Sequence, residues 1–115
     1  MTQVIALASS AVRARFFRSL SDPARLNILD ALRGGELSAG KVAQATGLSP
    51  SNTSRHLACL RECGLVETRQ DWRHVHYRLA GEHIERLLLE TDAVLSVIAE
   101  RVANCTRPEM DAAGG

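Results

Sequence analysis

A mainly α fold with one small β-hairpin is what the sequence predicts, on three observations. Ala and Leu dominate the composition, whereas aromatic residues make up only 3% and are confined to Phe16, Phe17, Trp72 and Tyr77; that balance favours helices over a β-sandwich. Helix start and stop signals recur at close intervals, with Asp22-Pro23, Ser38 and Ser49-Pro50 as starts and Gly34-Gly35, Gly47 and Gly64 as stops. One stretch, residues 73–79, switches to strand-like alternation. At 115 residues, 45% hydrophobic and 23% charged, the chain has the size and composition of one globular domain rather than of a disordered segment.

The elements follow in order. Ile5, Ala8, Val12, Phe16 and Leu20 recur at helical spacing, with Arg13, Arg15 and Arg18 off that stripe, and define a first helix within residues 4–20. Asp22 caps a second helix, and Pro23 occupies its first turn, where a missing N–H costs nothing. Leu26, Ile28, Leu29 and Leu32 carry that helix to Gly34-Gly35. Glu36-Leu37 is short and reads as extended. Ser38 caps a short third helix with Val42, Ala43 and Thr46 inside, and Gly47 stops it. Ser49-Pro50 starts a fourth helix that runs through Cys63 to Gly64.

Only Gly47-Leu48-Ser49 separates the third and fourth helices, the spacing of a helix-turn-helix. Residues 65–70 and 73–79 form two strands around Asp71-Trp72, with Val75, Tyr77 and Leu79 on one side and His74, His76 and Arg78 on the other. A hairpin directly after a helix-turn-helix is a wing. Trp72, at its tip, is either an exposed wedge or folds back as packing, and packing is the favoured expectation. Residues 82–104 form a long last helix striped by Ile84, Leu87, Leu88, Thr91, Val94, Leu95, Ile98 and Val102. Such a stripe on a terminal helix can simply pack on its own domain, but so small a domain has limited core to cover both this stripe and that of the first helix, so these two helices are expected to form a symmetric homodimer interface. The whole is a winged helix-turn-helix domain over residues 1–104, followed by a tail over 105–115.

The formal net charge of +1 hides an asymmetry: residues 1–78 carry +5 and residues 79–115 carry −4. The helix-turn-helix and wing therefore lie in a basic body and the last helix in an acidic third. Thirteen of the fourteen cations are Arg, whose planar fork suits phosphates and guanine edges. No apolar run approaches the roughly 20 residues of a membrane span, and no basic segment followed by an apolar core marks a signal peptide. A cytoplasmic location without membrane contact is expected.

The fourth helix opens Ser51-Asn52-Thr53-Ser54-Arg55-His56. Such a polar run at a helix start is common on solvated surfaces. Within a complete helix-turn-helix and wing, it reads instead as the part of a recognition helix that meets base edges of double-stranded DNA. Arg69, Arg73 and His74 lie around the wing and are candidates for phosphate or minor-groove contact.

Three cysteines remain: Cys59, Cys63 and Cys105. An odd count is no disulfide framework. Cys59 and Cys63 are four apart, on one helical face, and could chelate a soft ion or simply be small core residues. Cys105 sits just beyond the last helix and supplies a third sulfur only if the tail reaches across. The paired motifs of a zinc finger are missing. No C-x-x-C motif, phosphate-cradling loop, general base or oxyanion arrangement supports a thiol enzyme.

Asp22-Pro23-x-Arg25, Leu48-Ser49-Pro50-Ser51, Ser54-Arg55-His56-Leu57-x-x-Leu60, Gly64-Leu65-Val66 and Arg73-x-x-x-Tyr77-x-Leu79 together resemble the ArsR/SmtB family of winged-helix repressors. The flanking helices extend that resemblance over nearly the whole chain. It implies a homodimer through first and last helices that binds a palindromic operator and leaves it when an inducer binds. Trp72 departs from the pattern, because the family usually has Gly in the wing turn.

Within the family, Ser54-x-His56-Leu57-x-Cys59-Leu60-Arg61-x-Cys63-Gly64-Leu65-Val66 is similar to the CmtR-type branch of cadmium and lead sensors. That similarity implies Cys59 and Cys63 of one subunit acting with Cys105 of the other, and Cd(II) or Pb(II) as inducer. Arsenite and Zn(II) are further candidates, and an oxidant pairing Cys59 or Cys63 with Cys105 is the alternative signal. Two other family sites are absent: Ser38 and Gly40 stand where one would have cysteines, and Gly81, Val94 and Val97 leave His83 alone in the other. His83 then reads as a surface residue, and His56 as a DNA-side residue before a metal ligand.

Overall fold

The computed structural model describes residues 9–105. It contains helices α1 (Ser10–Ser19), α2 (Pro23–Leu32), α3 (Ala39–Thr46) and α4 (Pro50–Glu62), strands β1 (Val66–Asp71) and β2 (His74–Leu79), and helix α5 (Glu82–Ala103). This is the mainly α, winged helix-turn-helix order that the punctuation predicts. Ile5 and Ala8, the first two positions of the expected first helix, lie outside the described residues, as does the tail beyond Cys105.

The helix starts are set by side chains. Asp22 accepts from the backbone N–H of Ala24 at 2.8 Å and of Arg25 at 3.4 Å. Ser38 accepts from Lys41 N–H at 3.2 Å, and Ser49 from Asn52 N–H at 3.1 Å. Each pairs off a donor that has no partner within its own helix. Gly47 ends α3 in the left-handed region at φ 75°, which an L side chain adopts only at a cost, so the chain can turn within three residues into α4.

The core of this body is small and aliphatic. Ile28, Leu29 and Leu32 of α2, Val42 of α3, Leu57 and Leu60 of α4, and Leu65 and Val66 leading into β1 are all buried. The hairpin pairs antiparallel from Val66↔Leu79 to Asp71↔His74. A bridge ties it to the loop before α3: Leu37 N–H donates to Tyr77 O at 3.0 Å and Tyr77 N–H to Leu37 O at 2.8 Å. Glu36-Leu37 is thus extended, as expected, and adds a short third rung beside β2.

Trp72 overturns the packing expected of it. It is 78% exposed, with φ at +58°, and the Arg73 guanidinium sits 4.6 Å from its ring centroid. A two-residue turn between twisted strands needs positive φ at its start, so the backbone, not packing, fixes where the indole points.

The chain divides into two compact units, the second beginning at Ala80. Taken by itself, α5 is 22 residues long, with Glu82 and Glu85 in its first turn and Arg101 in its last, both placements favoured by the helix dipole. From Thr91 to Asn104 every residue is exposed, including Val94, Leu95, Ile98 and Val102 of the apolar stripe.

Candidate nucleic-acid interface and thiol pair

Helix α4 carries both candidate sites. Its start exposes Ser51, Asn52, Ser54 and Arg55, with His56 half-buried. Arg55 donates from Nη2 to Asn52 Oδ1 at 3.2 Å, and the hydroxyls of Ser49 and Ser51 stand 3.4 Å apart. These are short, mutually supported donors and acceptors on one solvent-facing turn, the kind of surface that can meet base edges.

Thr53 does not belong with them, contrary to the expectation from sequence. It is fully buried, on the same face as Leu57 and Leu60, and its Oγ1 has no hydrogen-bond partner. The three positions are four and three apart, one stripe of a helix; a hydroxyl on that stripe looks inward however polar its neighbours are.

The wing divides the expected cations. Arg73 and His74 are exposed near the tip. Arg69 is already engaged: its Nη2 and Nε donate to Glu36 at 2.8 and 3.0 Å. Arg78 also stands 3.5 Å from Glu36 and donates to Glu67 at 2.7 Å. The Arg69 hydrogen bond, more than any other influence, holds the Glu36 carboxyl below its ordinary range, and Arg78 adds to it. A phosphate would have to compete with Glu36 for Arg69.

The thiol pair lies at the other end of the same helix. Cys59 is half-buried and Cys63, which closes α4, is exposed. Partial burial pushes the Cys63 thiol up, and the nearby Cys59 adds to that shift. Four residues apart on α4, the two cysteines share one helical face. Arg25, on α2, donates from Nη1 to Cys59 Sγ at 3.4 Å. In the sequence, Arg25 stands out only as part of the motif Asp22-Pro23-x-Arg25. The signal that could have found it is its place in the first turn of a helix, where the dipole disfavours a cation.

Cys105 lies in the second unit, half-buried, with its N–H donating to Val102 O at 3.2 Å. Among the described residues no three His, Cys, Asp or Glu side chains stand together as a metal site. Among its described residues, the first unit thus offers the two sulfurs without a third His, Cys, Asp or Glu beside them.

Residues 22–68 match the family described as bacterial regulatory protein, arsR family. The HTH-type transcriptional regulator CmtR of Mycobacterium bovis is 44% identical over 104 residues, covering 84% of this chain and 88% of that one. The NMR structure of the cadmium metal-sensor CMTR from Mycobacterium tuberculosis is 48% identical, with a TM-score of 0.60, over 67% of this chain and 80% of that one. The homodimeric winged helix-turn-helix DNA-binding domain Mb0332 from Mycobacterium bovis is 38% identical, with a TM-score of 0.64, over 76% and 77% of the two chains. These relatives are regulators, not enzymes.

Proposed function

The chain belongs to the arsR family of bacterial regulatory proteins, and from that premise we propose that it is a homodimeric repressor released from operator DNA by a thiophilic ion. Ser51, Asn52, Ser54 and Arg55, with His56 beside them, read the major groove, while Arg73 and His74 meet the backbone beside it. The exposed apolar stripe of α5, together with α1, supplies the two-fold interface, as the homodimeric relative suggests. With one recognition helix per chain, a palindromic operator needs two chains.

Cys59 and Cys63, with Cys105 of the second copy, form the ion site. The fit rests on chemistry: two adjoining sulfurs on one helix face are a soft donor set, which selects Cd(II) or Pb(II) over hard ions, with arsenite and Zn(II) behind them. The CmtR relatives support the same choice. One observation carries the proposal: the thiol pair and the reading surface share helix α4. Sulfurs drawn toward a ligand at its end must pull on the helix that sits in the groove. A coupling of about 3 kcal/mol would loosen operator binding roughly 150-fold.

Cys59→Ser tests the reading. Operator binding of this variant should no longer respond to Cd(II), and an unchanged metal response would overturn the proposal. Cys105→Ser should lower Cd(II) affinity while leaving metal-free operator binding intact.

A further inference from the structure

Arg25 is a cation with unfinished bonding. Its Nη1 donates to Cys59 Sγ at 3.4 Å, its Nη2 stands 3.8 Å from Asp22 Oδ2, and its Nε is buried without a hydrogen-bond partner. The side chain is only 21% exposed. Asp22 is a distracted counter-ion, because its other oxygen already caps α2. A guanidinium in such a place is under-compensated, and what it faces is a sulfur.

Resting on the three-cysteine reading, we infer that Arg25 is the specificity-determining residue for the charge of the bound species, favouring an anionic thiolate complex over a neutral one. The chemistry separates the candidates. Three thiols that bind Cd(II) release three protons to solvent, and the three thiolates with the dication carry a net charge of −1. Three thiols that bind arsenous acid give their three protons to its three hydroxyls, which leave as water, and the product is neutral. Neither reaction involves electron transfer. The Arg25 charge, already hydrogen-bonded to one of the sulfurs, stabilises the first product and is indifferent to the second. Glu62 and Asp22 are the nearby anions that oppose it.

The assignment makes two opposite predictions. Arg25→Gln removes the charge and keeps a donor: Cd(II) affinity should fall about tenfold while arsenite affinity changes less than about twofold. Asp22→Asn keeps a capping side chain and removes the competing carboxylate, so Cd(II) should gain a few-fold over arsenite. Affinities of the full-length protein for each probe alone are measured at one pH by chelator competition and by thiolate charge-transfer absorption, with thermal unfolding of each metal-free variant alongside. Equal changes for both probes in Arg25→Gln would overturn the assignment. If that variant does not fold, Asp22→Asn decides it, and no gain there overturns it. A wild-type protein without a Cd(II)–thiolate band, or a band that survives Cys59→Ser, would overturn the three-cysteine reading itself. A normal band with an indifferent Arg25→Gln overturns only the role of Arg25.

Discussion

Arg69 and Glu36 are 33 residues apart in sequence and meet as a forked ion pair that fastens the wing to the loop before α3. Both side chains are solvent-accessible, so the pair matters less for total stability than for what it does to the wing and to its charge. Because Arg69 lowers the folded-state value of Glu36, the contribution is present above the ordinary Glu value of about 4.3 and is lost as pH falls through the lower folded value. Urea midpoints measured from pH 6 down to about 2.5 should decline over that window. In Glu36→Gln this part of the decline should be missing.

The same substitution should strengthen binding to DNA of unrelated sequence. Released from Glu36, Arg69 keeps only the looser approach of Asp71 at 4.0 Å and becomes able to neutralise a phosphate, so the slope of log affinity against log salt should steepen by up to about 1. Fluorescence anisotropy over a salt series measures it.

Thr53→Val should raise stability by about 1 kcal/mol, because the buried hydroxyl has no partner and valine keeps its shape. Operator affinity should stay unchanged. Arg55→Ala, on the exposed face of the same helix, should lower operator affinity with little change in stability. Chemical denaturation and anisotropy on both variants separate packing from reading.

Trp72→Gly should leave the wing intact and stabilise it by about 0.5 kcal/mol. Relief of a left-handed backbone is worth about 1–2 kcal/mol, offset by glycine's added chain entropy and by loss of the Arg73 contact. A gain in the urea midpoint without change in its slope is the expected readout.

Ile98→Glu places a charge in the middle of the exposed α5 stripe. It should shift sedimentation from dimer to monomer and weaken operator binding, which needs two reading heads. Val97→Glu, off that stripe, should leave both unchanged.

Much of this was legible because the chain is heavily punctuated. Asp22, Ser38 and Ser49 each cap the helix expected of them, and Gly47 and Gly64 turn the chain where expected, both with positive φ. These are local effects, settled within four residues. What sequence did not show is tertiary. Thr53 looks like its polar neighbours until the face it occupies is known. Arg69 reads as a phosphate contact and Arg25 as one residue of a motif until Glu36 and Cys59 are folded against them. Trp72 departs from expectation for the opposite reason: burial is the usual habit of an indole, but a two-residue turn dictates its direction first.

The bridge between Leu37 and Tyr77 has a mechanical consequence. A two-stranded ribbon alone is a springy arm, marginal in water. Bonded both ways to the loop that leads into α3, and fastened again by Glu36, the ribbon becomes a fixed ruler instead. The spacing from wing tip to α4 is then a constant of the fold. On the proposed DNA-bound reading, a duplex whose backbone does not offer contacts at that spacing is expected to bend to the protein rather than the wing to it.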